Sequence, residues 1–483
     1  MSKIIICLLA ILFSLPSFAG SQSLSDDPRV ASALNLLELW LDAQGAYEQI
    51  PGISMGVVHD QELLWSQGFG YSDLEQETPA TPRTIYSICS ISKLFTSIAV
   101  LQLRDQGLLR LEDPVGKHLP WFTIKQAYPD GPPVTIQGIL THSSGLPRES
   151  DFPYWSGPDF PFPTREQIIE RLSTQETLYP ADTYFQYSNL GLTLAGGIVA
   201  QVSGKPYAEY VKENILDPLG LSDTRPLLPE EQRGSRLATG YGALTRDSDR
   251  NELPLFQAKG IAPAAGFSST VEDLARFASW QFRLIEGGAE EVLHANTLRE
   301  MHRVHWVDQD WETHWGLGFA VWRFNDKTFV GHGGSCPGYR TQLMLQTKEK
   351  IATIFMANAS GLNTRMYSQR AYEIVAPAIA EALESPDAAK QPDPALSKYT
   401  GTYSSEPWGG ETAVLIWKGE LAMFYFPTDD PLEGLVKLKH VEGNRFRRIR
   451  DDDELGEEIV FEVGSDGKVV RLKQHSNPQP KVR

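Results

Sequence analysis

Apolar and polar positions follow two different periods along the first three quarters of the chain. Alternating runs at 53–58 and 63–70 flank the polar "HDQE", which predicts a β-hairpin near the start. Further runs between 316 and 359 predict more strands, and "TRMYSQRAYEIVAPAIAEAL" predicts a helix after them. Helical and loop segments rich in proline lie between the two strand groups. The pattern therefore predicts an α+β fold, with one antiparallel sheet built from both ends of the domain and a mostly helical insert between them.

A second pattern begins after a segment rich in proline and alanine. The sequence "ESPDAAKQPDPALS" predicts a linker, to which we assign 384–396. Beyond it, short alternating runs separated by turn residues predict an all-β, barrel-like domain over 397–483. This part contains no catalytic set of residues. We therefore predict an accessory domain that packs against or shades the catalytic domain at 20–383.

The first residues have the layout of a secretory signal peptide. One lysine, an apolar run too short to span a bilayer and the small-x-small sequence Ser17-Phe18-Ala19 predict a segment 1–19 that is cleaved near Ala19. The alternative is an N-terminal anchor that stays uncleaved. Cys7 lies within the apolar run and not at its end, so we see no lipoprotein anchor. We expect a periplasmic or secreted protein without a stable membrane anchor.

Composition narrows the classes of partner. The net charge of −17 argues against nucleic acid or an anionic membrane surface as partner. The partner that we expect, from the motifs described below, is a small-molecule or peptide substrate. With three cysteines in 483 residues, the fold depends on an apolar core and not on a disulfide framework. His302, His305 and His314 share one segment, but no cysteine or close acidic pair completes a ligand set. We predict neither a metal nor an organic cofactor, and no pattern indicates the oligomeric state.

The stretch "YSICSISKLF" contains a candidate nucleophile. Apolar residues recur at helical spacing from Ser90 to Gly107, so we predict that Ser90 begins an amphipathic helix. Lys93 follows three residues later, which places its amine on the same face as the Ser90 hydroxyl. Apolar neighbours would desolvate that amine, lower its pKa and leave a neutral base. For this motif alone, the alternative is a capping serine followed by an ordinary lysine.

Two other segments add candidate site residues. Tyr187 and Asn189 belong to "YSN", just before an apolar helical run. A tyrosine hydroxyl near a lysine can pass a proton to a leaving group, and an asparagine amide can donate to a substrate carbonyl while it accepts from the lysine. The aromatic run at 151–163 predicts either a wall of the substrate pocket or a proline-stiffened surface loop.

A glycine-rich motif supplies the opposite side of this candidate site. His332, Gly333 and Gly334 lie at the end of a predicted strand, within "TFVGHGGSCPGYR". Glycines there let a substrate lie against the strand as an added edge. The backbone N–H of Ser335 could then pair with that of Ser90 as an oxyanion hole. A turn histidine in a glycine-rich loop is the alternative for His332.

These motifs and the segments around them resemble the serine β-lactamase and penicillin-binding-protein superfamily, in its class C-like branch of DD-peptidases, D-aminopeptidases and related esterases. The resemblance covers roughly 30–380 and keeps the family order of segments, with "VTIQGILTHSSGLP" and "PAAGFSSTVEDLARFA" between the motifs already quoted. In that comparison "HSSGLP" is a structural turn. After the linker, "LSKYTGTYSSEP" resembles the start of a lipocalin-like barrel that is often appended to these enzymes.

The resemblance implies a role for each candidate residue. Ser90 is similar to the acylated nucleophile of the family and Lys93 to its base. Tyr187 matches the tyrosine that shares proton transfer, and Asn189 matches the asparagine that orients the substrate. His332 stands where many members have the lysine of a K-T-G motif, which argues against efficient β-lactam hydrolysis. Which residue deprotonates Ser90 stays open.

The implied activity is that of an exported serine hydrolase working through an acyl-enzyme on Ser90. The first expectation is a peptidase or amidase acting on peptides that contain D-amino acids. The alternatives are a carboxylesterase, and a weak β-lactamase or non-catalytic penicillin-binding protein. If the cationic form of His332 anchors a substrate carboxylate, this preference weakens as the pH rises from about 6 to 8.

The two cysteines outside the predicted signal peptide have two interpretations. Cys89 precedes the candidate nucleophile, and Cys336 follows the candidate oxyanion donor Ser335. The proposed oxyanion hole would bring the two segments together, within possible reach of a disulfide. We favour the other interpretation, in which both are buried and inert thiols.

Overall fold

The computed structural model describes residues 23–288, 290–386 and 391–483. The predicted signal peptide at 1–19 and part of the predicted linker lie outside the described residues. Eleven strands of the described residues belong to the larger domain: β1 (Gly52–His59), β2 (Glu62–Asp73), β3 (Thr78–Pro79), β4 (Tyr86–Cys89), β5 (Phe267–Ser269), β6 (Trp306–Val307), β7 (His314–Trp315), β8 (Ala320–Phe324), β9 (Lys327–Cys336), β10 (Tyr339–Gln346) and β11 (Ile351–Ala357).

One antiparallel sheet contains nine of these strands and joins the two ends of the domain. Its order is β3-β2-β1-β11-β10-β9-β8-β7-β6, while β4 and β5 form a separate pair. Strand β1 pairs with β2 on one side and with β11 on the other, where Ile53 lies opposite Ala357. The predicted α+β fold, with a single sheet built from both ends, is therefore confirmed.

Helices cover both faces of this sheet. In chain order the described helices are α1 (Pro28–Tyr47), α2 (Ser92–Asp105), α3 (Val115–His118), α4 (Ile136–Leu140), α5 (Arg165–Leu172), α6 (Asn189–Ser203), α7 (Tyr207–Val211), α8 (Ala262–Ala265), α9 (Val271–Gly287), α10 (Ala295–Met301) and α11 (Thr364–Glu384). Within the described ranges, no helix combines the length and apolar character needed to cross a bilayer.

The central strands are buried on both faces because each face has its own apolar core. Along β11, Ile354 and Met356 join the core that includes α2, α6 and α9, whereas Phe355 and Ala357 join the core that includes α1 and α11. Successive side chains of a strand point to opposite faces, so an uninterrupted apolar run fits a strand between two cores. The helical insert between β4 and β8 therefore lies on one face, and α1 and α11 lie on the other.

The remaining eight described strands form a nearly closed barrel. They are β12 (Gly401–Ser404), β13 (Glu411–Trp417), β14 (Glu420–Phe426), β15 (Val436–Glu442), β16 (Arg445–Ile449), β17 (Leu455–Val463), β18 (Val469–Gln474) and β19 (Asn477–Pro480). Backbone bonds from Thr402 N to Arg483 O and from Val482 N to Thr402 O tie the last segment to the first strand. Buried side chains, among them Tyr403, Phe446 and Phe461, occupy the interior.

The barrel packs on α1 and α11. Apolar side chains of β13 and β14, including Leu415 and Phe424, are fully buried in the same core as Trp40 of α1. The Trp40 indole donates to the carbonyl of Thr428 at 2.8 Å, and the hydroxyl of Ser32 donates to the carbonyl of Ile416 at 2.9 Å. Of the two predicted arrangements, the barrel thus adopts packing against the catalytic domain, on the sheet face opposite the helical insert.

Candidate active site

Ser90 lies in the turn between β4 and α2. Cys89, the last residue of β4, has φ +50°, a left-handed backbone conformation that residues with a side chain rarely adopt. Helix α2 begins at Ser92, so the prediction that Ser90 begins the helix is wrong by two residues. The Ser92 hydroxyl explains the tight turn, because it donates to the carbonyl of Cys89 and accepts from the backbone N–H of Phe267.

Lys93 is fully buried and has three oxygen neighbours. Its Nζ lies 3.1 Å from Ser90 Oγ, 2.8 Å from Asn189 Oδ1 and 2.7 Å from the carbonyl oxygen of Ala264. A neutral amine has two N–H donors and one lone pair. With the donors directed to Asn189 and Ala264, the lone pair is left for the Ser90 hydroxyl.

The surroundings of Lys93 favour its neutral form. Burial lowers the pKa of Lys93 well below its ordinary value, the nearby Glu149 carboxylate opposes this shift, and the Arg148 guanidinium reinforces it. A lysine with a lowered pKa can act as a general base near neutral pH. The charges of Glu149 and Arg148 therefore act on the pKa of the candidate base in opposite directions.

Tyr187 lies over the nucleophile. Its ring centroid is 4.9 Å from Lys93 Nζ, and burial raises the pKa of Tyr187 while a hydrogen bond with Ser90 opposes the rise. The phenol consequently keeps its proton at neutral pH. The buried His142 ring packs against Tyr187 at 4.3 Å, and His142 Nδ1 accepts from the backbone N–H of Ser188 at 3.1 Å. The turn that contains His142 therefore also positions Tyr187.

Glu149 is a site residue that the sequence analysis missed. The amide of Asn189 donates to both carboxylate oxygens of Glu149, at 2.9 and 3.1 Å, while its Oδ1 accepts from Lys93. Tyr154 and Arg148 also contact this carboxylate. The available signal was a pair of opposite charges directly after "HSSGLP", a segment assigned only as a turn.

His332 is not the charged anchor that we expected. Burial lowers the pKa of His332 to about 3, with Lys93 adding to the effect, so the imidazole is neutral at physiological pH. Its Nδ1 pairs with the carbonyl of Gly333 at 2.6 Å, and its ring centroid lies 5.5 Å from that of Trp315 and 6.1 Å from that of Tyr187. The expectation of pH-dependent carboxylate binding was conditional on a cationic His332, and the lowered pKa of this imidazole does not favour that form between pH 6 and 8.

The end of β9 presents an edge beside the nucleophile. Strand β8 pairs with β9 only as far as Gly331, so among the described strands none pairs with 332–336 on that side. A side chain at Gly334 would collide with the carbonyl of Ile88 and the hydroxyl of Thr341. Gly334 thus allows β9 to approach β4, a role different from the predicted contact with substrate. Ser335 is exposed at this edge.

A cleft of about 670 Å³ brings most of the predicted residues together. Six of them line it: Ser90, Tyr187, Asn189, His332, Gly333 and Ser335. Arg148 and Glu149 contribute charges, and Trp155 and Phe160 contribute an aromatic wall, in agreement with the first interpretation of the run at 151–163. The cleft therefore combines a nucleophile, a buried amine, a protonated phenol and an unpaired strand edge.

A disulfide joins Cys89 to Cys336, with Cα atoms 5.7 Å apart. The favoured interpretation, two free thiols, is therefore wrong. The cause is the close approach of β4 and β9 beside Gly334, which the alternative interpretation anticipated. The bond fixes the strand that leads into Ser90 to the strand that carries Ser335.

Among the described residues no three histidine, cysteine or acidic side chains cluster as metal ligands. His302 instead pairs with Gln281 Oε1 at 3.0 Å, and His305 with the carbonyl of Glu300 at 3.0 Å.

Two family models match the chain. A beta-lactamase model matches residues 37–376, and a model described as a domain of unknown function (DUF3471) matches 385–483. Among curated proteins, Beta-lactamase-like protein 2 of Dictyostelium discoideum is 28% identical over 421 residues, which is 84% of this chain and 75% of that protein. Protein flp of Staphylococcus aureus (strain MW2) is 25% identical over 68% of this chain and 65% of its own length, just under two thirds.

Solved structures agree with this assignment. The octameric penicillin-binding protein homologue from Pyrococcus abyssi has a TM-score of 0.64 at 26% identity and covers 93% of this chain and 100% of its own. EstCE1, a hydrolase with promiscuous acyltransferase activity, has a TM-score of 0.59 at 22% identity, covering 71% and 98%. A D-stereospecific amidohydrolase from Streptomyces sp. has a TM-score of 0.56 at 22% identity, covering 72% and 97%, and these two likenesses concern the fold. Since the family model spans most of the chain, this protein belongs to the beta-lactamase family.

Proposed function

We propose that the protein is a serine hydrolase that works through an acyl-enzyme on Ser90. The observation that carries this proposal is the buried Lys93 amine, 3.1 Å from Ser90 Oγ, whose two other neighbours are both acceptors. Lys93 takes the hydroxyl proton as Ser90 Oγ bonds to the carbonyl carbon of an amide or ester. The backbone N–H groups of Ser90 and Ser335 stabilise the oxyanion.

The second half of the reaction uses Tyr187. Its phenol keeps its proton at neutral pH and lies within reach of both Lys93 and Ser90, so it is suited to protonate the leaving amine or alcohol as the carbonyl–leaving-group bond breaks. Lys93 then returns the Ser90 proton to Tyr187, which restores both groups. In the deacylation step Lys93 takes a proton from the attacking water and passes it to Ser90 Oγ as the bond between Ser90 and the acyl carbon breaks and the acid leaves. The side chains in the cleft supply every proton transfer in this scheme.

The substrate class that we propose is an amide of a D-amino acid with a free amino group. The Glu149 carboxylate lies in the cleft and its side chain is 23% exposed, so it can pair with an ammonium group. The free edge of β9 supports a peptide bound as an added strand. The D configuration rests on the family resemblance and on the D-stereospecific amidohydrolase that shares the fold.

A carboxylesterase is the second candidate. Trp155, Phe160 and Leu253 give the cleft an apolar wall suited to an acyl group without charge. EstCE1, which shares the fold, is described as a hydrolase with promiscuous acyltransferase activity. For β-lactams we expect slow turnover, because the neutral His332 offers their carboxylate no charge.

Covalent labelling tests the mechanism. After exposure to a panel of acyl donors, intact-protein mass spectrometry should show a stable or transient acyl adduct, located on Ser90 by peptide mapping. Ser90→Ala should abolish the adduct, and Lys93→Ala and Tyr187→Phe should each reduce turnover by about a hundredfold or more. Acylation that persists in Ser90→Ala, or near-normal turnover in Lys93→Ala, contradicts the proposal.

Matched substrates test the substrate class. We expect kcat/KM to be higher for D-alanyl-p-nitroanilide than for its L isomer and for its N-acetyl derivative. Glu149→Gln should remove the advantage of the free amine. Equal rates for both isomers, or a clear advantage of an unactivated ester over the amides, would support the esterase instead.

We also propose that the protein is exported, as a periplasmic or secreted enzyme cleaved near Ala19. The disulfide between Cys89 and Cys336 supports an oxidising compartment. Sequencing the N-terminus of protein recovered from the periplasm or medium tests this, and a chain that keeps residue 1 and stays in the cytosol contradicts it.

A further inference from the structure

A second cavity lies beside α6 and shares no lining residue with the active-site cleft. Its volume is about 700 Å³, and we call it the α6 groove. Trp121 and Ile168 line it together with Gly197 of α6, while Tyr207 and Pro263 line it from the following segments. A cavity of this size suits a small organic ligand.

The α6 groove is open because α6 carries small residues there. A Cβ atom added to Gly197 would meet Trp121 at 3.5 Å and Leu119 at 3.7 Å, which are ordinary contacts. The helix backbone therefore accepts a larger residue at 197, and the missing side chain leaves space beside the edge of the indole, over whose ring the Arg165 guanidinium lies at 5.4 Å. The Trp121 indole N–H is buried and has no hydrogen-bond partner among the described residues.

The lining is basic as well as apolar. Arg165, Lys205 and Lys259 line the α6 groove, and no aspartate or glutamate does, although the whole chain has a net charge of −17. Lys205 pairs with Glu213, and the Arg165 guanidinium lies 4.0 Å from the exposed Glu166. For Lys259, no carboxylate lies within ion-pair distance in the described part of the chain. A ligand with a negative head group could therefore pair with Lys259 without breaking an existing ion pair of that residue.

We propose that the α6 groove binds an amphipathic carboxylate, with its apolar chain on Trp121 and its head group at Lys259 and Arg165. Apolar surface buried on the indole and on Ile168 supplies affinity, and the two cations select an anionic head. The site goes beyond the proposed hydrolase activity and does not depend on it.

Calorimetric titration of the full-length Ser90→Ala variant with sodium decanoate tests the proposal, because turnover cannot consume the probe. We expect one saturable site, with binding at least about tenfold weaker for 1-decanol, which lacks the charge, and for acetate, which lacks the chain. If the proposed hydrolase mechanism were wrong, this result would not change, because every protein titrated carries Ser90→Ala.

Three variants in the same background locate the binding. Replacing both exposed cations, Lys259→Gln with Arg165→Gln, should weaken decanoate binding by about tenfold or more. Gly197→Leu should abolish it by filling the cavity, while Lys437→Gln in the barrel, which removes a positive charge outside the groove, should leave it unchanged. No saturable binding, equal binding of decanol, or unchanged binding in both groove variants overturns the proposal.

Discussion

Lys93 shows how one buried side chain sets the chemistry of the cleft. Its side chain is fully buried, and two of its three oxygen neighbours are acceptors contributed by α6 and α8. Burial favours the neutral amine, and Glu149 and Arg148 act on it in opposite directions. Neutralising Glu149 or Arg148 should therefore shift the pKa of Lys93 in opposite directions.

The first prediction concerns the pH dependence of this base. Below its pKa the amine is protonated and cannot accept the Ser90 proton, so kcat/KM falls on the acid side. Glu149→Gln removes an anion that stabilises the cation, which lowers the pKa of Lys93 and moves the acid limb to lower pH. Arg148→Gln removes a cation, so the limb should move to higher pH. Rates with p-nitrophenyl acetate, measured from about pH 5 to 9, locate the acid limb of each variant and of the unchanged protein.

The two variants serve as controls for each other. Each replaces a charged residue of the cleft by the same neutral amide, and the two lost charges have opposite signs. Shifts in the same direction, or no shift in either variant, would show that Lys93 is not the group that titrates.

At this scale the sequence predicted the partners and the lowered pKa of Lys93, but not the charge state of His332. The spacing of Ser90 and Lys93 predicted that the two side chains share a face, and the family resemblance implied that Asn189 joins them. The neutral state of His332 was not predictable, because its burial depends on Trp315 from a distant strand. The sequence analysis missed Glu149 because its role depends on the side-chain amide of Asn189, which is 40 residues away in the sequence.

Among the elements, β4 and β9 approach each other closely, since a Cβ atom at Gly334 would lie 2.4 Å from the carbonyl oxygen of Ile88. Both carry site residues at their ends, the oxyanion proposal requires them side by side, and the disulfide joins them. The sequence pattern predicted strand β9 and the position of its glycines at the end of that strand. The reason for Gly334 is the carbonyl of Ile88 on another strand, which no local pattern reveals.

The second prediction tests this contact with two adjacent glycines. Gly334→Ala places a methyl group against the backbone of Ile88, so β9 must move away from the nucleophile, and we expect kcat to fall by at least about tenfold. Gly333→Ala meets only the end of the flexible Gln342 side chain, at 3.0 Å, and should keep most of the activity. Steady-state kinetics of both variants decide. Equal losses would mean that the strand approach is not the cause.

The third prediction concerns the disulfide. Thiol counting on denatured protein should find neither Cys89 nor Cys336 free, so that only Cys7 reacts if the first residues are retained. Because the bond closes a loop of 247 residues, replacing both cysteines by alanine should lower the free energy of unfolding by about 2–4 kcal/mol. Denaturant unfolding with and without reductant measures this. A count of two additional thiols, with no effect of reductant, contradicts the bond.

At the scale of the whole molecule, the barrel and the cleft lie on opposite faces of the sheet. The barrel covers α1 and α11, whereas the site lies among the helices of the other face. The strands of the barrel were predictable from their alternation and turns. The face on which it docks was not, because the outer side chains of β13 and β14 alternate in the same way whichever surface they cover.

The fourth prediction follows from this arrangement. Phe424 is fully buried between the barrel and α1, so Phe424→Ala should cost about 3–5 kcal/mol of unfolding free energy while leaving KM unchanged. Tyr425 follows it on the same strand and is 39% exposed, which makes Tyr425→Ala the matched control with a small effect. Denaturant unfolding and kinetics at 25 °C separate the two outcomes. A change in KM for Phe424→Ala alone would assign the barrel a role in substrate binding.

The pairing of β1 with β11 has a consequence for synthesis on the ribosome. Ile53 finds its partner Ala357 only after about 300 further residues have been translated, so the first hairpin waits with an open edge while the helical insert emerges. Stalled nascent chains that end before β11 should consequently be digested by protease throughout. Chains extended past α11 should yield a resistant catalytic fragment, so completion of the domain coincides with translation of its last quarter.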